Sequence, residues 1–106
     1  MTEIHFKHDT AQTDVLVLGH CNAGRVNGND LCCCAVSTLV YTLLEALSRL
    51  NLKSYKGKYG GGWCHIGFSA KSPDIKRASE CIKTVFAGFE LLQQNYPSSI
   101  KIYSKP

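Results

Sequence analysis

Two long stretches with helical periodicity limit the folds that are open to this chain of 106 residues. In residues 30–50 and 73–95, apolar side chains recur every three or four positions, which is the spacing of one helix face. Each stretch is long enough for roughly six helical turns. A helix with one apolar face must bury that face against another element. The sequence therefore predicts two amphipathic helices that pack on a common partner layer.

Shorter segments with strand-like patterning supply that layer. Apolar runs or alternating apolar and polar side chains predict strands at residues 3–8, 14–20, 53–59, 63–70 and 100–103. In the fourth segment, Cys64 and Phe68 fall on one face and His65 on the other, where we expect it to be exposed. The order ββαββαβ predicts a single α+β domain over residues 1–106, with two helices on one face of a mostly antiparallel sheet.

Composition and charge describe a globular chain of modest basicity. A hydrophobic fraction of 44% with 19% charged residues excludes disordered, collagen-like and coiled-coil proteins. No run approaches the roughly 20 apolar residues of a membrane span, and the N-terminal sequence MTEIHFKHD is too polar for a secretory signal. We therefore expect a cytoplasmic protein that does not associate with membranes. The net charge of +4 permits an anionic partner without requiring one.

The six cysteines are more numerous than a chain of this length needs. Without an export signal we expect the thiols to stay reduced. The consecutive residues Cys32, Cys33 and Cys34 point to different sides of an element, so they cannot close one disulfide framework. Two matched CxxC pairs, the usual zinc pattern, do not occur. The sequence therefore predicts no metal and no cofactor, with a metal or redox site as an alternative interpretation of the thiols.

A histidine, an aspartate and a cysteine frame the Gly-rich loop before the first helix. His20 ends the second predicted strand, and Asp30 has a side chain that caps helix starts. With Asp30 as the cap, Cys33 is the third helical residue, beside unpaired backbone N–H groups at the positive end of the helix dipole. A thiolate is stabilised there, and an imidazole within reach would complete a nucleophile and its base. Spacing alone leaves a catalytic pair and an inert helix-start cysteine as alternatives.

This chain resembles the ribosomal-processing cysteine protease (Prp) family of bacteria over nearly its whole length. The family signature is a Gly-His pair, a Gly-rich loop and then Gly-x-Asp-[Ile]-x-Cys-Ala-Ala-Val-Ser. The matching segments are Gly19-His20, the run GNDLCCCAVS from Gly28 to Ser37, the GFE run from Gly88 to Glu90, and Tyr96-Pro97. By this resemblance Cys33 is the nucleophile and His20 its base.

The resemblance also implies how the remaining motif residues and the enzyme work. Gly19, Asp30 and Ser37 occupy positions that shape the site or bind substrate. Family members remove a short N-terminal extension from the large-subunit ribosomal protein numbered twenty-seven, cutting after an aromatic residue, and are often homodimers without a cofactor. We expect helix-start N–H groups to stabilise the oxyanion. We also expect the loop over residues 22–29 to open for an extended peptide, which would pair with a sheet edge.

Three further cysteines depart from the family pattern. Cys21 follows the histidine where Ala is common, and Cys32 and Cys34 flank the nucleophile where small apolar residues are usual. We interpret Cys32 and Cys34 as small helix residues. An activated Cys33 beside other thiols could alternatively serve as a redox sensor.

A non-catalytic module that docks on ribosomal protein or RNA is the other alternative. Its surface would combine basic and aromatic residues, namely Lys53, Lys56, Lys58, Tyr55, Tyr59 and Trp63. A lysine-edged strand that resists sheet aggregation accounts for the same pattern without a ligand. We therefore expect no direct nucleic-acid binding.

Overall fold

The fold is a five-stranded sheet with two helices on one face, seen in a computed structural model that describes residues 1–24, 26 and 30–106. Its elements are β1 (Thr2–His8), β2 (Gln12–Leu18), α1 (Leu31–Ser48), β3 (Lys56–Gly60), β4 (Trp63–Ser69), α2 (Ile75–Asn95) and β5 (Ile100–Ile102). The strand order is β3-β4-β2-β1-β5; β1 and β5 are parallel and the other pairs are antiparallel. The predicted α+β class and the ββαββαβ order are confirmed.

The core lies between the sheet and the helices because the strands alternate as predicted. Val17 pairs with Ile4 on one side and Cys64 on the other, and all three side chains are buried. His65, one residue further along β4, points to the opposite face and is exposed. One face of the sheet therefore belongs to the core, and the other carries polar and half-buried side chains.

A close approach of the helices accounts for the glycine inside α2. A Cβ at Gly88 would lie 2.9 Å from both methyl carbons of Leu39 on α1. Glycine inside a helix costs about 1 kcal/mol relative to alanine, and here it makes room for the side chain of the neighbouring helix. Gly88 therefore marks a close contact between α1 and α2.

Helix α1 is long and apolar enough to cross a membrane by length and composition alone, with a mean hydropathy of 1.7 over 18 residues. The expectation that no such stretch exists is therefore wrong. Five of its side chains, Cys32, Val36, Val40, Leu43 and Leu47, are instead buried in the same core as the sheet residues. In this structure α1 places these five side chains in the core, and its other residues are half-buried or exposed.

The aromatic centre of the core offers a test of the fold. Phe89 is fully buried, and its ring meets that of Phe86 edge-on at 5.3 Å. Replacing Phe89 with alanine removes this packing and leaves a cavity, so we expect a loss of about 3–5 kcal/mol in the free energy of unfolding. Urea denaturation measures the loss. Leu91→Ala, on the same helix but 59% exposed, is the control and should change little; equal losses in the two variants would contradict this packing.

Candidate active site

The segment that follows β2 can take its path only with glycine at position 19. Gly19 has a φ of +87°, and a Cβ there would collide with the carbonyl oxygen of Met1. Its N–H donates a hydrogen bond of 2.7 Å to the carbonyl of Gly62, in the turn between β3 and β4. The main chain at Gly19 therefore lies close to Met1, just before β1, and is hydrogen-bonded to the β3–β4 turn. These contacts fix the point from which the side chain of His20 projects.

The imidazole of His20 lies against the β3–β4 turn. Strand β2 ends at Leu18, so His20 follows the strand and does not end it as predicted. A Cβ at Gly62 would approach Nε2 of His20 to 2.8 Å. Gly62 therefore completes the turn and also leaves room for the histidine ring. The exposed position of the ring keeps it accessible to a ligand.

Asp30 caps helix α1, as the sequence predicted. Its backbone is extended, and its Oδ1 accepts a hydrogen bond of 3.0 Å from the N–H of Cys33. The other carboxylate oxygen, Oδ2, accepts from the N–H of Ala23 at 3.3 Å. One carboxylate therefore joins the helix start to the segment that carries His20. These hydrogen bonds hold the pKa of Asp30 below its usual value.

Cys33 is half-buried on the first turn of α1, with its Sγ 3.3 Å from the donating N–H of Cys21. Burial is the main cause that raises the pKa of this thiol, and the nearby charge of Asp30 adds to it. Hydrogen bonds from the N–H groups of Cys21 and Asn22 act in the opposite direction. In the free protein, desolvation outweighs these favourable contacts, so the pKa of Cys33 lies above its usual value in spite of its place at the helix start.

The structure brings the predicted site residues to one cleft. His20, Cys33 and Ser37 all line a cleft of about 100 Å³ between α1 and the β3–β4 turn. Gly19 lies in the same lining, and Asp30 acts on the site through its hydrogen bonds. No hydrogen bond joins the side chains of His20 and Cys33 within the described ranges. The two groups thus share a cleft in the free protein without being paired.

Three aromatic side chains form part of this cleft, two of which belong to the surface considered above for RNA or ribosomal protein. Tyr41, Tyr59 and Trp63 line it, and the rings of Tyr41 and Tyr59 meet edge-on at 5.3 Å. Tyr55, which was grouped with them as a stacking residue, is half-buried and donates its hydroxyl to the carbonyl of Leu44 at 3.3 Å. The pairing of Gly60 with Trp63 brings Tyr59 and Trp63 to the cleft that Cys33 lines. No motif in the sequence indicates this pairing.

Comparison with known proteins decides the family. The family model described as Cysteine protease Prp matches residues 1–101. The chain belongs to the Prp family and is a cysteine protease. Among curated protein sequences, none is similar enough to this chain to count as a match.

Solved structures agree with the Prp assignment at the level of the fold. The ribosomal processing protease Prp from S. aureus with a covalently linked product peptide is 22% identical, with a TM-score of 0.78 over 96% of this chain and 97% of that one. The same protein with a substrate peptide is 18% identical, with a TM-score of 0.72 over 99% and 100%. SMU.848 from Streptococcus mutans is 22% identical, with a TM-score of 0.63 over 96% and 95%.

The additional cysteines of this Prp protease have different surroundings. Cys21 and Cys32 are buried, whereas Cys34 is exposed, and all six cysteines of the chain are free thiols. Burial is the main cause that raises the pKa of Cys21 to about 11. Within residues 1–24, 26 and 30–106, no three His, Cys, Asp or Glu side chains are grouped as metal ligands.

Removing the charge of Asp30 tests the electrostatics of the Prp cleft. Asp30→Asn keeps a capping oxygen but deletes the negative charge that raises the pKa of Cys33. We expect the pKa of Cys33 to fall, so that iodoacetamide alkylates this thiol faster at a given pH below its pKa than in the unmodified protein. Peptide mapping by mass spectrometry separates Cys33 from the exposed Cys34, whose rate serves as the internal control. A slower or unchanged rate at Cys33 would contradict this prediction.

Proposed function

We propose that this protease removes a short N-terminal extension from a bacterial large-subunit ribosomal protein, with Cys33 as the nucleophile and His20 as its base. The observation that carries the proposal is the convergence of these two side chains on one cleft. The S. aureus relative is described as a ribosomal processing protease and was crystallised with substrate and product peptides. Membership of the same family supports a substrate of the same kind.

In the proposed reaction, His20 takes the proton of the Cys33 thiol, and the thiolate attacks the carbonyl carbon of the scissile peptide bond. The imidazolium then protonates the leaving amine, and water hydrolyses the thioester. Catalytic hydrogen bonds are often long or absent in a free enzyme and tighten when substrate binds. The exposed imidazole of His20 would pair with Cys33 on substrate entry, and its positive charge would oppose the desolvation that raises the pKa of the thiol.

The backbone N–H groups of Cys21 and Asn22 are the donors that we expect to stabilise the oxyanion, in place of those of Cys33 and Cys34. Asp30 occupies the N–H groups of Cys33 and Cys34, through Oδ1 and its carbonyl oxygen, both at 3.0 Å. The N–H of Cys21 instead points at the sulfur, next to which the oxyanion would form. Asn22 has a φ of +52°, a conformation that can turn successive N–H groups toward one anion.

The walls of the cleft suggest how a peptide would be held. Tyr41, Tyr59 and Trp63 offer an apolar surface beside Cys33, consistent with the aromatic side chain that the family resemblance implies at the cut. Strand β3 is an edge of the sheet in the strand order, so an extended substrate could pair with it. The proposed lid over residues 22–29 includes residues 25 and 27–29, which lie outside the described residues.

Two further expectations belong to this proposal. We expect a homodimer, and the sheet face opposite the helices, with half-buried Leu16 and Leu18 among polar neighbours, is the surface available for it. We also expect the protein to act in the cytoplasm, where ribosomal precursors occur and thiols stay reduced. Sedimentation of the purified chain measures the first of these.

The proposal is tested by incubating the reduced protein with a synthetic peptide that spans such an N-terminal extension. Mass spectrometry should find a single cut, and quenching early should trap an acyl group on the peptide that contains Cys33. A peptide of the same composition in scrambled order is the control. Absence of cleavage of any such extension, by a folded and reduced protein, would refute the proposed substrate class.

A further inference from the structure

A buried thiol that the proposed mechanism does not use lies beside the nucleophile. Cys21 is only 2% exposed, and the peptidase mechanism needs its backbone N–H but not its sulfur. Its N–H reaches Sγ of Cys33 at 3.3 Å, which brings the main chain of Cys21 against that sulfur. On its other side, Sγ of Cys21 is 3.2 Å from Oγ1 of Thr2. The thiol is thus held in place within the wall of the cleft.

Cys21 is better placed than Cys32 to form a disulfide with Cys33. Cys21 and Cys33 both line the cleft, and the main chain of Cys21 lies against Sγ of Cys33. Cys32 and Cys33 are consecutive in a helix, where their side chains diverge and a bond between them would break the helical backbone. Cys21 comes from a separate segment and carries no such restriction.

We propose that a hydroperoxide converts Cys33 and Cys21 into a reversible disulfide, which shields the nucleophile from irreversible oxidation. The modification itself does not depend on the proposed peptidase activity. Its consequence, that the oxidised protein cannot cleave peptides, rests on the proposed function.

The chemistry balances with the hydroperoxide as the sole oxidant. The Cys33 thiolate attacks the terminal peroxide oxygen, the O–O bond breaks, and the sulfur becomes a sulfenic acid while the alkoxide or hydroxide leaves with a proton as alcohol or water. The Cys21 sulfur then attacks Sγ of Cys33, the S–O bond breaks, and water leaves with the proton of the Cys21 thiol. Two thiols have been oxidised and one hydroperoxide reduced.

Access determines which sulfur reacts first. Cys33 is half-buried and lines the open cleft, whereas Cys21 and Cys32 are buried. Cys34 is exposed but is one position further around the helix and outside the cleft lining. An oxidant that enters the cleft therefore meets Cys33, and the sulfenic acid formed there has Cys21 as its neighbour.

The experiment treats reduced protein with hydrogen peroxide and follows its intact mass. We expect a loss of about 2 Da, reversed by dithiothreitol, and peptide mapping that joins the segments of Cys21 and Cys33. Cys21→Ser and Cys21→Ala should lose this product and gain about 32 Da at Cys33, which dithiothreitol does not reverse. Cys34→Ser is the matched control and should keep the disulfide. Circular dichroism melts establish that the variants are folded.

Each outcome bears on the proposal. A disulfide that maps to Cys32, Cys34 or Cys64, or a loss of about 2 Da that persists in both Cys21 variants, would overturn it. Equal irreversible oxidation of Cys33 with and without Cys21 would do the same. Peptide cleavage is measured in parallel, with each variant compared with its own reduced form. If the disulfide forms in a protein that cleaves no peptide even when reduced, the proposed function fails and the modification stands.

Discussion

Replacing Cys33 with alanine is expected to abolish peptide cleavage, with a fall in kcat/KM of at least about 10³-fold. The substitution removes the atom that forms the thioester, and the nearby thiol of Cys21 is buried and held by Thr2. Cys32 is buried in the core and Cys34 is exposed outside the cleft lining, although both are adjacent in sequence. The measurement is cleavage of the extension peptide, followed by chromatography, with a melting curve for each variant.

The neighbouring thiol supplies the matched control for this result. Cys34→Ala makes the same chemical change one residue away, on the exposed side of α1, and should leave cleavage within about twofold because surface substitutions rarely matter. Cleavage by Cys33→Ala at the rate of the unmodified protein would remove Cys33 as the nucleophile. Loss in Cys34→Ala with retention in Cys33→Ala would mean that the alignment with the family motif is shifted by one residue.

Replacing His20 with alanine should lower kcat/KM by about 10²–10⁴-fold, the contribution typical of a general acid and base. The imidazole lies in the same cleft as Cys33, packed on the β3–β4 turn at Gly62. Because His20 and Cys33 share the cleft without a hydrogen bond in the free protein, alkylation of Cys33 by iodoacetamide in the absence of peptide should keep its rate. This second readout separates loss of the base from a general loss of structure.

A second histidine of similar exposure is the control for His20. His65 lies on the opposite face of the sheet, where its Nε2 is 2.9 Å from Oδ1 of Asp14. His65→Ala should therefore keep both cleavage and alkylation rates. An unchanged kcat/KM in His20→Ala, or a comparable loss in His65→Ala, would exclude the proposed base.

The proposed redox chemistry and the proposed catalysis draw on the same local geometry. The segment from His20 to Ala23 runs over the start of α1 and is tied there by Asp30, which brings the Cys21 N–H to the sulfur of Cys33. Cys21 thus supplies a backbone N–H to the proposed catalysis and a sulfur to the proposed oxidation. The oxidation experiment and the peptide experiment address these two parts independently.

Local chemistry made much of this protein predictable from its sequence. The apolar periods of α1 and α2, the alternation around Cys64 and His65, and the cap at Asp30 all depend on residues within a few positions of one another, and the structure confirms them. Even the Gly88 contact could be expected, because a helix tolerates an interior glycine mainly where a neighbouring helix needs the space of a side chain. The single-domain boundary and the roles of His20, Cys33 and Ser37 stay predictions.

Other features depend on residues that are distant in sequence, and only the tertiary structure decided them. The pairing of β3 with β4 places Trp63 and Tyr59 beside Cys33, and the contact between His20 and Gly62 needs the turn that the same pairing creates. The raised pKa of Cys33 is likewise a result of packing, because desolvation depends on which segments cover the sulfur and not on its place in the helix. Periodicity and capping thus determined the elements, whereas long-range strand pairing and burial determined the environment of the proposed nucleophile.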